Sequence, residues 1–80
     1  MIKSRLEFIT TAVLIHERNL NEEFNDYNFD VKNTSYYIEE RRSKAIYVNC
    51  YSVIRVEDED VETFTTSVWF DEDGNITDII

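Results

Sequence analysis

Eighty residues, 42% hydrophobic and 14% aromatic, are enough for one small globular domain spanning 1–80 and argue against disorder. The formal net charge of −9 weighs against direct contact with nucleic acid or anionic lipid, whose phosphates would repel it. A single cysteine, Cys50, excludes an internal disulfide and fits a reducing cytoplasm, while the absence of Pro and the presence of one Gly leave no linker to divide the chain.

Along the chain, Ser4-Arg5-Leu6-Glu7 has the S-x-x-E form of a capping box. Leu6, Ile9, Val13, His16 and Leu20 follow at helical spacing, and Phe8, Ala12 and Ile15 widen the stripe, so the pattern predicts a helix over about 5–19. Lys3 and Arg5 ahead of LEFITTAVLI imitate a secretion signal, but Glu7 interrupts the apolar run and no small-residue cleavage site follows. No stretch approaches the ~20 apolar residues that span a bilayer.

From Tyr27 the period changes to two. Tyr27, Phe29 and Val31 alternate with polar residues as a first strand, Lys32–Ser35 reads as a turn, and 36–40 as a second strand. Residues 41–44 make the next turn. The clearest strand runs from Ala45 to Val56, with Ile46, Val48, Cys50, Ser52, Ile54 and Val56 on one face and Tyr47, Asn49, Tyr51, Val53 and Arg55 on the other. Val61–Phe70 runs back, Asp71-Glu72-Asp73-Gly74 turns the chain tightly, and Ile76–Ile80 closes it. The fold class expected is α+β: one N-terminal helix on a mostly antiparallel sheet of four to five strands.

The charge is unevenly placed. Residues 1–55 carry eight acids and eight bases; residues 56–80 carry nine acids and no base. Glu57, Asp58, Glu59, Asp60 and Glu62 crowd into the run VEDEDVE. An EF-hand is excluded, because Gly74 would place the first ligand at Trp69 and the 57–62 run has no Gly at its sharp turn. Hydrated neighbouring acids also lack the shelter that raises a catalytic carboxyl's pKa. His16 lies on the helix's apolar side, Cys50 reads as a buried thiol, and no Gly-rich phosphate loop exists. No catalytic residue or cofactor is therefore expected, and no metal site beyond a loose carboxylate one for Mg²⁺ or Ca²⁺ in the acidic run. Two further readings of that run stay open: a solvated turn, or a surface for a basic partner that relieves its self-repulsion of about 0.6–1 kcal/mol per close pair. Asp71-Glu72-Asp73 should instead lie at the same end of the sheet as Arg41, Arg42 and Lys44 and offset them. Tyr47, Tyr51 and Trp69 share the face of the sheet that one helix cannot cover, as cross-strand packing or as apolar contact anchors.

With its acidic runs VEDEDVE and DEDG and the hairpin WFDEDGNI, the chain resembles, as a class, small stoichiometric inhibitors. Among these are phage-encoded anti-defence proteins, including anti-CRISPR proteins and the uracil-DNA glycosylase inhibitors, which are of similar size and also end in a short hairpin. Immunity proteins that neutralise bacteriocin nucleases are the second group. The resemblance implies a monomer or homodimer in the host cytoplasm that acts by mimicking DNA. It would occupy the basic surface of a nucleic-acid-binding defence protein or nuclease, or else neutralise one toxin. Glu57, Asp58, Glu59, Asp60 and Glu62 would make the electrostatic contact, with Tyr47, Tyr51 and Trp69 as apolar anchors.

Overall fold

The computed structural model describes residues 4–41, 45–57 and 60–80. A helix α1 (Arg5–Glu23) is followed by strands β1 (Phe29–Glu40), β2 (Ile46–Val56), β3 (Asp60–Phe70) and β4 (Ile76–Ile79). The strands form one antiparallel sheet in the order β1-β2-β3-β4, so every connection within it is a hairpin. This is the α+β architecture expected from the pattern, with four strands.

The helix begins where the capping box places it. The Ser4 hydroxyl accepts from the Glu7 backbone N–H at 3.3 Å, and the Glu7 carboxylate accepts from the Ser4 N–H at 3.4 Å. It continues one turn beyond the expected end, to Glu23, and its C-cap Phe24 N–H reaches the Leu20 carbonyl. The buried stripe is Phe8, Ala12, His16 and Leu20. Leu6, expected inside, is 71% exposed. Val13 and Ile15 of the expected stripe are half-buried and pack at the margin of this row.

The expected turn at Lys32–Ser35 is absent: those residues are part of a single twelve-residue strand. Their turn chemistry is local, whereas β2 offers an uninterrupted ladder from Ile46 to Val56, and pairing along it prevails. The compromise is a bulge, with Val31 opposite Ile54 but Asn33 opposite Val53, so Lys32 is the extra residue.

Alternation along β2 and β3 gives the sheet a covered face and an open one. Val48, Cys50, Ile54, Val56, Val68 and Phe70 face the helix. They form two apolar clusters, one around Phe8, Ala12 and Phe70, the other around Leu20, Ile54 and Val56 with Phe24, Phe29 and Phe64 against it. Between the clusters lies a polar layer. His16 Nδ1 bonds Thr66 Oγ1 at 2.8 Å, Nε2 bonds Ser52 Oγ at 2.7 Å, and Ser52 Oγ bonds Thr34 Oγ1 at 2.8 Å. Burial of the imidazole lowers its pKa from the ordinary 6.5, against a smaller opposing pull from Glu17, so His16 is neutral at pH 7. Among the described residues no buried side-chain polar atom lacks a partner.

Candidate functional site

The site lies where the helix ends over the last residues of β2, with Leu20 packed on Ile54 and Val56. There Asp60 pairs with Val56 and Glu62 with Ile54, which puts both carboxylates on the helix side of the sheet. Both are exposed, as is Glu57. The chain returning from the helix contributes Glu23, Phe24 and Tyr27. The result is a groove of about 460 Å³ with Phe24, Tyr27, Phe64 and Val56 along its apolar part and four carboxylates, Glu23, Glu57, Asp60 and Glu62, around it. Phe24 organises the apolar part, with ring centroids 6.5 Å from Tyr27, 5.8 Å from Phe29 and 6.1 Å from Phe64.

Local electrostatics at this pole are unfavourable. The last turn of α1 holds no base, although the carbonyl end of a helix favours one, and Glu22 and Glu23 stand there instead. Glu57 adopts φ 54°, a left-handed conformation that costs a non-glycine residue of order 1 kcal/mol or more. The chain holds it there through the Glu57 N–H donating to the Asn28 carbonyl at 2.8 Å, with a longer return bond of 3.4 Å from the Asn28 N–H to the Glu57 carboxylate. Among the described residues the ion pairs are Lys32–Asp30 at 3.7 Å and Arg41–Glu39 at 3.0 Å, and neither involves a groove carboxylate.

The residues singled out from sequence divide between two regions. Glu57, Asp60 and Glu62 gather at the acidic pole; Asp58 and Glu59 lie outside the described residues. Tyr47, Tyr51 and Trp69 share the open face, as alternation requires. Tyr47 and Trp69 stand directly opposite each other with centroids 4.4 Å apart, and Tyr51 is two rows nearer the pole, opposite Thr65. Eight strand steps, about 26 Å, separate Tyr47 from Arg55 at the pole. One flat surface therefore does not hold both sets, because the carboxylates point to the helix side and the aromatic rings to the other.

Arg41 fills the space over the aromatic pair, its guanidinium 5.5 Å from the Tyr47 centroid and 5.3 Å from that of Trp69. Pairing of Ile46 with Phe70 does bring Arg41 and Ala45 to the same end of the sheet as the 71–75 turn. The carboxylate that Arg41 meets is nonetheless Glu39, not the 71–73 run. Arg42 and Lys44 lie outside the described residues.

Glu23, Phe24 and Tyr27 escaped the sequence reading because helical periodicity ended the helix a turn early. The acidic C-terminal turn without a base was the available signal. Ser52 and Thr66 were likewise read only as positions on alternating faces. His16 and Ser52 have the hydrogen-bonded approach of a base and a nucleophile; each is 1% exposed, the Ser52 hydroxyl is shared with Thr34, and all three line a groove of about 260 Å³ with Glu17, Leu20, Asn21 and Val31. Cys50 is buried and desolvation pushes its thiol pKa up, which disfavours the reactive thiolate. Among the described residues no three His, Cys, Asp or Glu side chains converge to hold a metal ion, and no helix is long and apolar enough to cross a membrane.

Comparison with protein-family models, with curated proteins and with solved structures returned no match.

Proposed function

We propose that this protein is a small acidic stoichiometric inhibitor, of the phage-encoded anti-defence kind, that occupies the basic nucleic-acid-binding surface of a host nuclease or defence complex. The observation that carries this reading is the groove at the acidic pole. Four carboxylates from three separate segments ring an aromatic patch, in a place where their mutual repulsion and the helix C-terminus both oppose them. A guanidinium or ammonium group relieves both penalties, and its aliphatic stem packs on Phe24, Tyr27 and Phe64 while its charge pairs with the rim. Basic side chains that ordinarily grip phosphate offer that chemistry in a row. Negative potential gathered at one end also steers a basic partner to it, raising the association rate in a manner that salt suppresses. The open-face aromatics, with the Arg41 guanidinium over Tyr47 and Trp69, form a second contact region for partners large enough to wrap around the sheet.

A DNA-displacement titration tests the reading. Purified CRISPR effector complexes, uracil-DNA glycosylase and bacteriocin nucleases, each carrying labelled DNA, are titrated with this protein at low and high salt. Displacement at one-to-one stoichiometry, weakened by salt and lost in the variant Glu23→Gln/Glu57→Gln/Asp60→Asn/Glu62→Gln, is the expected result. Equal displacement by the neutralised variant would overturn it. Neutralisation of a single bacteriocin nuclease alone would reassign the protein as an immunity protein acting through the same pole.

A further inference from the structure

Strand β1 is the longer of the sheet's two edge strands, and most of its residues are exposed. It occupies one edge, and α1 packs chiefly on β2 and β3. Tyr36 on its helix side and Tyr37 on its open side are 57% and 55% exposed. Twelve residues of edge, about 40 Å, present outward-facing backbone N–H and C=O groups, a template for another strand. The devices that blunt such edges, here the bulge and Lys32, sit together near its start, and Asn33–Ile38 carry no charge.

The geometry points to a second copy of this chain as the occupant, with the two β1 strands antiparallel about a two-fold axis at Tyr36. The order of charges selects this partner. Charged residues of the edge occur only at its two ends: Asp30 and Lys32 at the first, Glu39, Glu40 and Arg41 at the second. Antiparallel self-pairing brings unlike ends together. With the axis at Tyr36, Thr34 stands opposite Ile38 of the second copy and Asn33 opposite Glu39. Because the bulge absorbs one residue, Lys32 then lies beside Glu40 of the second copy and Asp30 beside its Arg41. The faces agree, since Asp30 shares the open face with Arg55 and Arg41 lies over Tyr47 and Trp69 on that same face. The same arrangement also handles the net charge of −9. Glu57 bonds Asn28 just ahead of β1, so each acidic pole abuts the start of its own strand and the two poles fall at opposite ends of the pair. The product is a continuous eight-stranded sheet with both helices on one face and the two Tyr36 side chains meeting between them.

Sedimentation velocity of the full chain, from low-micromolar to millimolar concentration, measures the pairing. A monomer–dimer equilibrium is expected. Lys32→Glu should weaken it about tenfold, since two attractive cross-strand pairs become repulsive, and Lys32→Glu/Glu40→Lys should restore it. Cross-linking fixes the register. Residues at the axis have Cα atoms about 4.5–5.5 Å apart, within disulfide range, whereas position 37 is displaced by two residues from its mate and lies beyond about 7 Å. Tyr36→Cys should therefore form a covalent dimer on mild oxidation and Tyr37→Cys should not; Cys50 is buried and does not compete. A monomer at every concentration would overturn the pairing and leave the edge to another protein's strand. Equal cross-linking at positions 36 and 37 would overturn the register.

Discussion

The protein has two acidic turns, and they are built in opposite ways. In the turn between β3 and β4 one acid, Asp71, serves the backbone. The Asp71 carboxylate accepts from the N–H groups of Asp73 and Asn75, each at 2.9 Å, and Gly74 takes φ 88° to close the loop. These bonds, the one from Asn75 foremost, hold the Asp71 pKa below its ordinary 3.8. In the turn between β2 and β3, the carboxylate of Glu57, a residue at a strained φ, accepts one long bond, while Asp60 and Glu62 line an open groove with Glu23. Acidic density alone thus says little about purpose. What separates the two turns is that the chain supplies three donors to Asp71, whereas among the described residues the pole's carboxylates receive one long bond, at Glu57, and gather around a groove.

The largest effects should come from the packing beneath each turn. Phe70, fully buried against Phe8 at 4.9 Å, anchors the compensated end; Phe64 at the pole is only half-buried. Phe70→Ala should cost about 3–5 kcal/mol in denaturant unfolding, and Phe64→Ala about half as much. Equal losses would mean the pole is as firmly packed as the other end.

Acid should act next, through the layer that joins the two halves of the core. His16 is neutral when folded and titrates near 6.5 when unfolded, so the unfolded chain takes up the extra proton. Stability is complete above about pH 6.5 and falls as pH drops below it toward the lowered folded pKa. Asp71 acts lower, its contribution present above the unfolded value of 3.8 and lost as pH falls through the depressed folded one. Thermal melts across pH should therefore show a decline below pH 6.5 that His16→Gln removes, and a separate acidic step that Asp71→Asn removes.

Smaller effects distinguish the turns directly. Neutralising Glu23, Glu57, Asp60 and Glu62 together should raise stability by about 1 kcal/mol or less at low salt, a gain that high salt erases. Asp71→Ala should lower the unfolding midpoint, because three donors lose their acceptor. Glu72→Gln, on an exposed side chain of the same turn, should change stability by less than about 0.5 kcal/mol.

Much of this was legible from periodicity. Alternation at Ile46–Val56 and Thr63–Phe70 assigns both faces of the central strands, including the shared side of Tyr47, Tyr51 and Trp69, because burial on one face makes register unambiguous. The capping box placed the start of the helix to the residue. Local signals misled where tertiary pairing outweighed them, as at Lys32–Ser35, whose turn-forming side chains were drawn into an edge strand by a longer partner. The acidic pole was legible as a charge run but not as a groove. Glu23, Phe24 and Tyr27 come from about 30 residues earlier in the chain, and only the packing of the helix end on Ile54, Val56 and Phe64 brings them there.

The most direct test of the central claim compares the two turns in one binding assay. DNA displacement from a basic nuclease is measured for the wild-type chain and for two variants that each remove two charges, Asp60→Asn/Glu62→Gln and Glu72→Gln/Asp73→Asn. Loss of displacement in the pole variant with full displacement by the other is the predicted result. Equal weakening of both variants would show that net charge alone matters, and would contradict the assignment of the pole as the binding surface.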